Sequence, residues 1–286
     1  MVDNDTHRVV VVSVDVEPDV AMFVEGRAGL EEGLPRLADL FRRLDIPADY
    51  YFTLDAAQLV PDFLRERVAN GGWFGSHGVR HAPAYYAREP ASWQERTIDD
   101  STAGLTGLAG TRPRLFRAPN FSVSPAILQA LEMLGYEADS SVLPGRLKRH
   151  LLFRSLDHRG APREPYHPDA LDARKPGSLR LWEVPVTENP RSPGGPIGLG
   201  FVHAEGSETA SKVARESAGT ILTILCHTWE AIDLGRLHPS LPAWLTATCR
   251  ANVQPFGAFL ESLRSEYEFR SLREVVRDLG AGGVAR

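Results

Sequence analysis

The chain has 286 residues, 43% of them hydrophobic and 24% charged, which is enough to form one sizeable core. Its net charge of −5 argues against a nucleic-acid-binding protein, whose domains are usually basic. The cysteines, Cys226 and Cys249, cannot form a disulfide framework or a CxxC metal knuckle. No stretch reaches the roughly 18 apolar residues of a membrane span, and the polar N-terminus does not resemble an export signal. These features predict a cytoplasmic protein without nucleic-acid or membrane partners.

Strands and helices alternate along the first half of the chain. A β-branched run over 8–14 predicts a buried strand, and periodic leucines over 34–44 predict a helix. The same criteria predict further strands at 50–53, 73–74, 114–117 and 136–139 and helices over 59–68, 92–108 and 125–134. Such alternation is typical of a parallel sheet or a β/α barrel, with the chemistry on loops after the strands.

The segment 143–206 interrupts this alternation. It is rich in Pro, Gly and Arg, and within it only 179–186 has the pattern of a strand. We expect it to form a lid rather than a merely structural insert. Regular structure returns with a strand over 219–226, a helix over 256–263, and a final strand and helix within 267–279. We therefore predict one catalytic domain, residues 1–286, that contains this insert.

Five short motifs lie at the ends of predicted strands. In chain order they are Asp15-Val-Glu17, His77-Gly-Val-Arg-His81, Arg117-Ala-Pro-Asn120-Phe121, Asp139-Ser-Ser141 and His227-Thr-Trp-Glu230. The carboxylates of the first motif alternate with valines, so both face one side of the strand. Two histidines four apart in a turn point the same way and, with one carboxylate, supply three ligands for a metal ion. The other motifs add an arginine, an aspartate and a lone histidine, which complete the groups that metal-assisted amide hydrolysis needs.

In this order the motifs resemble the polysaccharide deacetylase (NodB homology) family, carbohydrate esterase family 4, over residues 8–279. The first motif is similar to the branch that has Asp-Val-Glu in place of adjacent Asp-Asp. The resemblance implies a distorted (β/α) barrel of about seven parallel strands. It also implies one divalent metal ion as cofactor, expected to be Zn²⁺, with Co²⁺, Ni²⁺, Mn²⁺ or Fe²⁺ as alternatives.

The resemblance assigns the metal ligands and the catalytic base. It implies that Glu17, His77 and His81 bind the metal and that Asp15 is the base that activates water. Arg117 is expected to pair with Asp15 and keep it ionised.

The same resemblance assigns the groups that act on the amide. The backbone N–H of Asn120 is expected to donate to the oxyanion, and His227 to protonate the leaving amine. Asp139 is expected to hydrogen-bond His227 and raise its pKa from about 6.5.

Three departures from the family pattern bear on ligand and substrate. Glu17 is one methylene longer and one position further along than the usual ligand, so Asp19 is an alternative ligand. Asn120 replaces an aromatic residue, and Ser141 replaces a Trp that lines the sugar groove. The groove is therefore expected to fit something other than a long glycan.

A basic cluster follows in the predicted lid and consists of Arg146, Lys148, Arg149, His150 and Arg154. Such a run is usually a solvated face, and the functional alternative is a site for a phosphate or carboxylate of the substrate. The candidates for the wall of an acyl pocket, with ordinary core residues as the alternative, are Trp182, Leu225 and Trp229.

The sequence thus predicts a metal-dependent hydrolase that cleaves a C–N amide bond. The expected reaction is N-deacetylation of an acetamido sugar or another small N-acylated metabolite. If the basic cluster binds the substrate, this metabolite is anionic. Alternatives are an allantoinase-like hydrolase of cyclic amides or imides and a deacetylase of chitin-type or peptidoglycan-type polymers. A two-histidine-one-carboxylate iron oxygenase is disfavoured because strands alternate with helices here. The presence of both Asp15 and His227 disfavours a binding protein without catalytic activity.

Overall fold

The computed structural model describes residues 8–282 except 21–22, 25, 83–84 and 151–152, and for 150 and 153–155 it describes the backbone. The strands are β1 (Arg8–Val16), β2 (Ala48–Phe52), β3 (Gly75–Ser76), β4 (Leu115–Phe116), β5 (Ala138–Asp139), β6 (Leu147–His150), β7 (Phe153–Asp157), β8 (Pro168–Asp169), β9 (Asp172–Pro176), β10 (Trp182–Glu183), β11 (Ile221–His227) and β12 (Tyr267–Phe269). The helices are α1 (Leu34–Arg43), α2 (Leu54–Leu59), α3 (Pro61–Ala69), α4 (Ala91–Ala109), α5 (Pro125–Met133), α6 (Leu199–Glu205), α7 (Ser207–Glu216), α8 (Leu234–Leu237), α9 (Ala243–Thr246), α10 (Gln254–Leu263) and α11 (Leu272–Gly280). None of these helices is long and apolar enough to cross a membrane.

Parallel strands form the main sheet in the order β10-β5-β4-β3-β2-β1-β11, and β12 pairs with the first residues of β1. Between β10 and β11 the ladder is replaced by separate contacts, such as the 3.2 Å hydrogen bond from the Thr187 N–H to the Thr223 carbonyl. The Leu225 N–H likewise donates to the Ile197 carbonyl at 3.1 Å. This curved sheet with helices around it is a distorted (β/α) barrel, so the predicted fold is confirmed.

The two faces of β1 belong to two different clusters of the core. Val10, Val12, Val14 and Val16 join a large cluster with residues of α1 and α10, such as Leu37 and Phe256. The alternating residues Val9 and Val11 pack instead with Tyr51, Leu115 and Val275 inside the barrel. Each fully buried aliphatic side chain contributes about 1.5–3 kcal/mol. Ser13 and Asp15 continue the inner face, and strand alternation thus carries Asp15 into the barrel.

The insert at 143–206 has more regular structure than the sequence predicted. Two antiparallel hairpins, β6 with β7 and β8 with β9, precede β10, and α6 follows at the end. The prediction of a single strand here was therefore wrong. The hairpin strands are only two to five residues long, and exposed charged residues such as Lys148 and Arg149 hide the apolar alternation that identifies a strand.

Candidate metal centre and active site

Three side chains that could bind a metal ion converge beyond the ends of β1 and β3. Glu17, His77 and His81 each offer one ligand atom, and these atoms lie within 4.8 Å of one another. His77 Nε2 is 3.9 Å from Glu17 Oε2, and His81 Nε2 is 3.5 Å from the same oxygen. These are the residues that the resemblance implied as ligands, brought together from positions 60 residues apart because β1 and β3 both pair with β2 in the barrel sheet.

Hydrogen bonds hold two of the three ligand side chains in place. His77 Nδ1 lies 2.7 Å from the Arg117 carbonyl, which makes Nδ1 the protonated nitrogen and leaves Nε2 as the acceptor. Trp229 Nε1–H donates to Glu17 Oε1 at 3.0 Å, so the other carboxylate oxygen, Oε2, remains as the ligand atom. Both His77 Nε2 and Glu17 Oε2 are buried without a hydrogen-bond partner among the described residues. Such orphaned acceptors are costly, and a shared cation would satisfy them.

Burial keeps both imidazoles in the form that binds metal. Burial, with the His227 charge beside it, lowers the pKa of His81 to about 4. Burial also lowers the pKa of His77, although the nearby carboxylates Asp15 and Glu17 oppose the shift. Burial raises the pKa of Glu17, and a bound cation would favour its ionised form. The donor set therefore fits a divalent metal.

The turn between the two histidines depends on a glycine. Gly78 has φ of 79°, in the region that favours glycine, and a Cβ there would lie 2.6 Å from the Tyr86 hydroxyl oxygen. The Gly78 and Val79 carbonyls accept hydrogen bonds of 3.0 and 3.1 Å from the first turn of α2. Together these contacts turn the chain so that His81 returns to the ring of His77, 5.7 Å away between ring centroids.

Asp19, the alternative ligand, has a structural contact instead. Its Oδ2 accepts from the Ala28 N–H at 2.8 Å, and its Oδ1 accepts from the Gly29 N–H at 2.6 Å. Both oxygens thus cap the helical turn Gly29–Gly33. Asp19 is absent from the group of potential ligands that the described residues form, which favours Glu17 over Asp19.

Asp15 lies between His77 and His227 and is held by Arg117. Arg117 Nη1 donates to Asp15 Oδ1 at 2.8 Å and to the Ser13 hydroxyl at 3.0 Å. Asp15 Oδ2 is 3.9 Å from Nε2 of His77 and 3.9 Å from Nε2 of His227. Burial would raise the pKa of Asp15, but the Arg117 guanidinium, with the two histidines, outweighs burial and lowers it. Asp15 is therefore an ionised carboxylate at neutral pH.

Arg117 is itself fixed by the chain that follows β5. Its Nε donates to the Ser140 carbonyl at 3.0 Å, and its Nη2 to the Ser140 hydroxyl at 3.0 Å. The guanidinium centre lies 4.3 Å from the centroid of the Tyr51 ring. Only 1% of the Arg117 side chain is exposed, so the Asp15–Arg117 pair is a buried and strongly oriented ion pair.

His227 is oriented by a carboxylate to which the sequence assigned no role. Its Nδ1 lies 3.4 Å from Glu230 Oε1, and its ring stacks on Trp229 with centroids 4.6 Å apart. The other Glu230 oxygen, Oε2, accepts from the backbone N–H of His227 at 2.9 Å. Burial would lower the pKa of His227, but the charge and hydrogen bond of Glu230, with Glu17 and Asp15, raise it to about 9. An acid three residues after a strand-end histidine was the available signal.

The predicted hydrogen bond between Asp139 and His227 was wrong. Among the described residues, the ion pairs of His227 are with Asp15 and Glu230. Asp139 instead accepts a hydrogen bond from the Ser141 hydroxyl and lies in register with Glu183 on β10. Burial raises the pKa of Asp139 to about 6. The turn after His227 places Glu230 beside Nδ1 of His227, so this nitrogen faces Glu230 rather than Asp139.

Asn120 lies at the edge of the same site in a left-handed backbone conformation. Asn120 and Phe121 have φ of 52° and 62°, values that are uncommon for residues other than glycine. Both residues line the cavity described below. Such strain is often found at functional sites. The role of the Asn120 N–H as oxyanion donor stays a prediction.

A cavity of about 410 Å³ opens onto the metal ligands, Asp15 and His227. Its other walls are formed by Val20, Phe23, Arg117, Ala118, Asn120, Phe121, Arg146, Pro196, Leu225, Trp229, Trp244 and Leu245. Leu225 and Trp229 are thus wall residues, as one interpretation of the sequence proposed. Trp182 stacks on His167 instead, with centroids 3.7 Å apart, and the Ser141 hydroxyl accepts from the Ala118 N–H at 2.8 Å. Neither Trp182 nor Ser141 lines the cavity.

Residues 3–138 match the family described as polysaccharide deacetylase. This match assigns residues 3–138 to the polysaccharide deacetylase family. They contain the motifs that supply Asp15, Glu17, both histidines and Arg117. Membership in this family supports hydrolysis of an amide or acetyl group and suggests an acetylated carbohydrate as substrate. No curated protein matches the chain.

Solved structures share the fold of this chain along nearly its whole length. A Mycobacterium smegmatis protein assigned to the polysaccharide deacetylases has a TM-score of 0.65 at 13% identity, over 100% of this chain and 94% of that chain. The PuuE allantoinase has a TM-score of 0.63 at 16% identity, over 99% of this chain and 94% of that chain. Peptidoglycan deacetylase PdaC from Bacillus subtilis has a TM-score of 0.50 at 12% identity, over 96% of this chain and 94% of that chain. Identities this low show the fold alone.

Proposed function

We propose that the protein is a metal-dependent N-deacetylase of an acetamido sugar or another small N-acylated metabolite. The observation that carries this proposal is the position of Asp15. Its Oδ2 lies 3.9 Å from the ligand nitrogen of His77 and 3.9 Å from Nε2 of His227. A base thus stands between a three-ligand metal site and a protonated imidazole, the arrangement that amide hydrolysis requires.

A divalent metal ion held by Glu17, His77 and His81, for which we propose Zn²⁺, would supply Lewis-acid activation of the attacking water. Asp15 then accepts the proton of that water, because Arg117 keeps its carboxylate ionised and oriented. His227 carries a proton at neutral pH and donates it to the nitrogen of the leaving amine. Glu230 stabilises the imidazolium and fixes the direction of its ring. The Asn120 N–H would donate to the oxyanion.

The metal site is tested by removing its histidines. His77→Ala and His81→Ala should each lower the bound divalent metal and the release of acetate, because two of three protein ligands are imidazoles. Metal content is measured by elemental analysis of the purified protein. Unfolding in urea should stay cooperative, since the core clusters lie elsewhere.

The matched control is His167→Ala, because His167 stacks on Trp182 outside the cavity. This variant should keep its metal. A His77→Ala, His81→Ala double variant with a full equivalent of metal would contradict the site. The reaction itself is tested with N-acetylglucosamine and hydantoin: acetate release supports deacetylation, whereas ring opening of hydantoin alone would make the protein a cyclic amide hydrolase.

A further inference from the structure

A second guanidinium lines the cavity, and it has no carboxylate partner among the described residues. Arg146 Nη1 donates to the Gly194 carbonyl at 2.8 Å, and the guanidinium centre lies 4.9 Å from the centroid of Phe121. Its Nε is buried without a hydrogen-bond partner in the described part of the chain. The other arginine of the cavity, Arg117, is fully paired with Asp15 and the serines. Arg146 is therefore a cation whose charge no carboxylate of the described residues compensates.

The backbone fixes Arg146 in this position. Its carbonyl accepts from the His158 N–H at 2.8 Å, and its N–H donates to the Leu143 carbonyl at 3.1 Å. Gly194 packs so closely that a Cβ there would lie 2.7 Å from Arg146 Cα. Burial lowers the pKa of Arg146, and the group that opposes this shift is Tyr85 rather than a carboxylate. A partly buried charge without a partner costs free energy that a bound anion would recover.

Two surface arginines show how a guanidinium binds a carboxylate through Nε and Nη2. Nε and Nη2 of Arg159 donate to the Asp157 carboxylate at 2.9 and 2.8 Å. The same two atoms of Arg174 donate to Asp172 at 2.9 and 2.9 Å. In Arg146 this pair of donors has no hydrogen bond to any described residue. It is the edge that matches a planar or tetrahedral anion.

We propose that Arg146 binds an anionic group of the substrate, so that the substrate is an N-acyl compound that also carries a carboxylate or a phosphate. This proposal rests on the proposed function, because the amide must lie at Asp15 and His227 while the anion contacts Arg146. Among the described side chains of the basic cluster, Arg146 lines the cavity, whereas Lys148 and Arg149 are exposed and do not line it. The side chains of His150 and Arg154 lie outside the described residues.

The test compares charged and neutral members of two substrate pairs. These are N-acetylglucosamine 6-phosphate with N-acetylglucosamine, and N-acetylalanine with N-acetylalaninamide. We expect kcat/KM for acetate release to favour the charged member of at least one pair by about 10- to 100-fold, as a charge-assisted hydrogen bond allows. The pair that shows the preference identifies phosphate or carboxylate as the anion. Arg146→Gln should reduce that ratio towards one, mainly through KM.

The matched control is Arg149→Gln, which removes an exposed guanidinium three residues away and should leave the ratio unchanged. Arg146→Lys keeps the charge and should retain part of the preference, which separates anion binding from a folding defect. Equal kcat/KM within both pairs, or a preference that survives Arg146→Gln, would overturn the anion site while deacetylation stands. Absence of acetate from all four compounds would overturn deacetylation instead. Calorimetric Kd values for the charged compounds would then still decide on Arg146, with weaker binding expected in Arg146→Gln.

Discussion

Asp15 and Glu17 are two carboxylates on one strand end, yet their surroundings shift their pKa values in opposite directions. Burial is the largest influence on both and would raise both values. Arg117 donates directly to Asp15 and lowers its pKa, whereas Glu17 receives one hydrogen bond from a neutral indole. A carboxylate that is ionised without a metal suits the base, and one that gains from a cation suits the ligand.

This difference gives a prediction for the two isosteric amides. Asp15→Asn should keep the bound metal and lose roughly 10² to 10⁴-fold in kcat, the contribution of a general base. Glu17→Gln should lower metal affinity, because an amide oxygen is a weaker ligand than a carboxylate. Metal titration and initial rates are measured on both variants. Metal lost in Asp15→Asn and kept in Glu17→Gln would exchange the two roles.

Residue types, spacing and the family resemblance predicted most of the side chains that meet at the site, but not Glu230 and not which atoms touch. The alternation of Asp15 and Glu17 with valines and the spacing of His77 and His81 depend on local geometry that the sequence determines. The partner of His227 depends on the direction of its ring. A turn of four residues places Glu230 beside Nδ1, a contact that the spacing of the two residues allows but does not by itself specify. The assignment of Asp139 came from the resemblance and failed for this reason.

Among the elements, the strands of the barrel could be predicted and the hairpins of the insert could not. β3, β4 and β5 have only two residues each, but helices with clear apolar periodicity separate them and define their places. The hairpins of the insert lack such neighbours. Their strands are held by each other and by contacts such as Gly194 against Arg146, which depend on the folded chain.

The attachment of α11 to β2 depends on a buried acid and makes stability depend on pH. Asp49 on β2 accepts a 2.7 Å hydrogen bond from the Leu272 N–H at the start of α11. Burial raises the pKa of Asp49 from 3.8 to about 7. The folded chain therefore holds more protons than the unfolded chain between these values. The contribution of Asp49 to the free energy of unfolding must fall as pH rises through this window, because its carboxyl group ionises first in the unfolded state.

Asp49→Asn removes this titration and keeps an oxygen that can accept from Leu272. Relative to the wild type, the variant should therefore gain stability as pH rises from about 4 to 7, by up to about 1.4 kcal/mol per pH unit. Urea unfolding at several pH values measures the difference. Asp62→Asn is the control, since 95% of the Asp62 side chain is exposed, and its slope should follow the wild type. Identical slopes in all three proteins would show that Asp49 does not titrate in this window.

On the scale of the whole molecule, the insert and the first loop of the barrel meet around one cavity. Arg146 and Pro196 come from the insert, Phe23 from the loop after β1, and Trp244 from α9 near the end of the barrel. The rings of Phe23 and Trp244 pack edge to face, with centroids 6.1 Å apart. The cavity volume of about 410 Å³ lies at the lower end of the range for small-molecule pockets. Elements far apart in sequence thus set the size of the substrate.

This size leads to a prediction about chain length. If the cavity binds one N-acyl unit, further sugars gain no contacts that strengthen in the transition state, so they should not raise kcat/KM. Acetate release from N-acetylglucosamine and from chitin oligomers of two to five sugars, compared per acetamido group, measures this dependence. We expect a flat or falling series, because each added sugar lies outside the wall formed by Arg146, Phe121 and Trp229. A rate that rises with every added sugar and is unaffected by Arg146→Gln would show that the protein acts on a polymer.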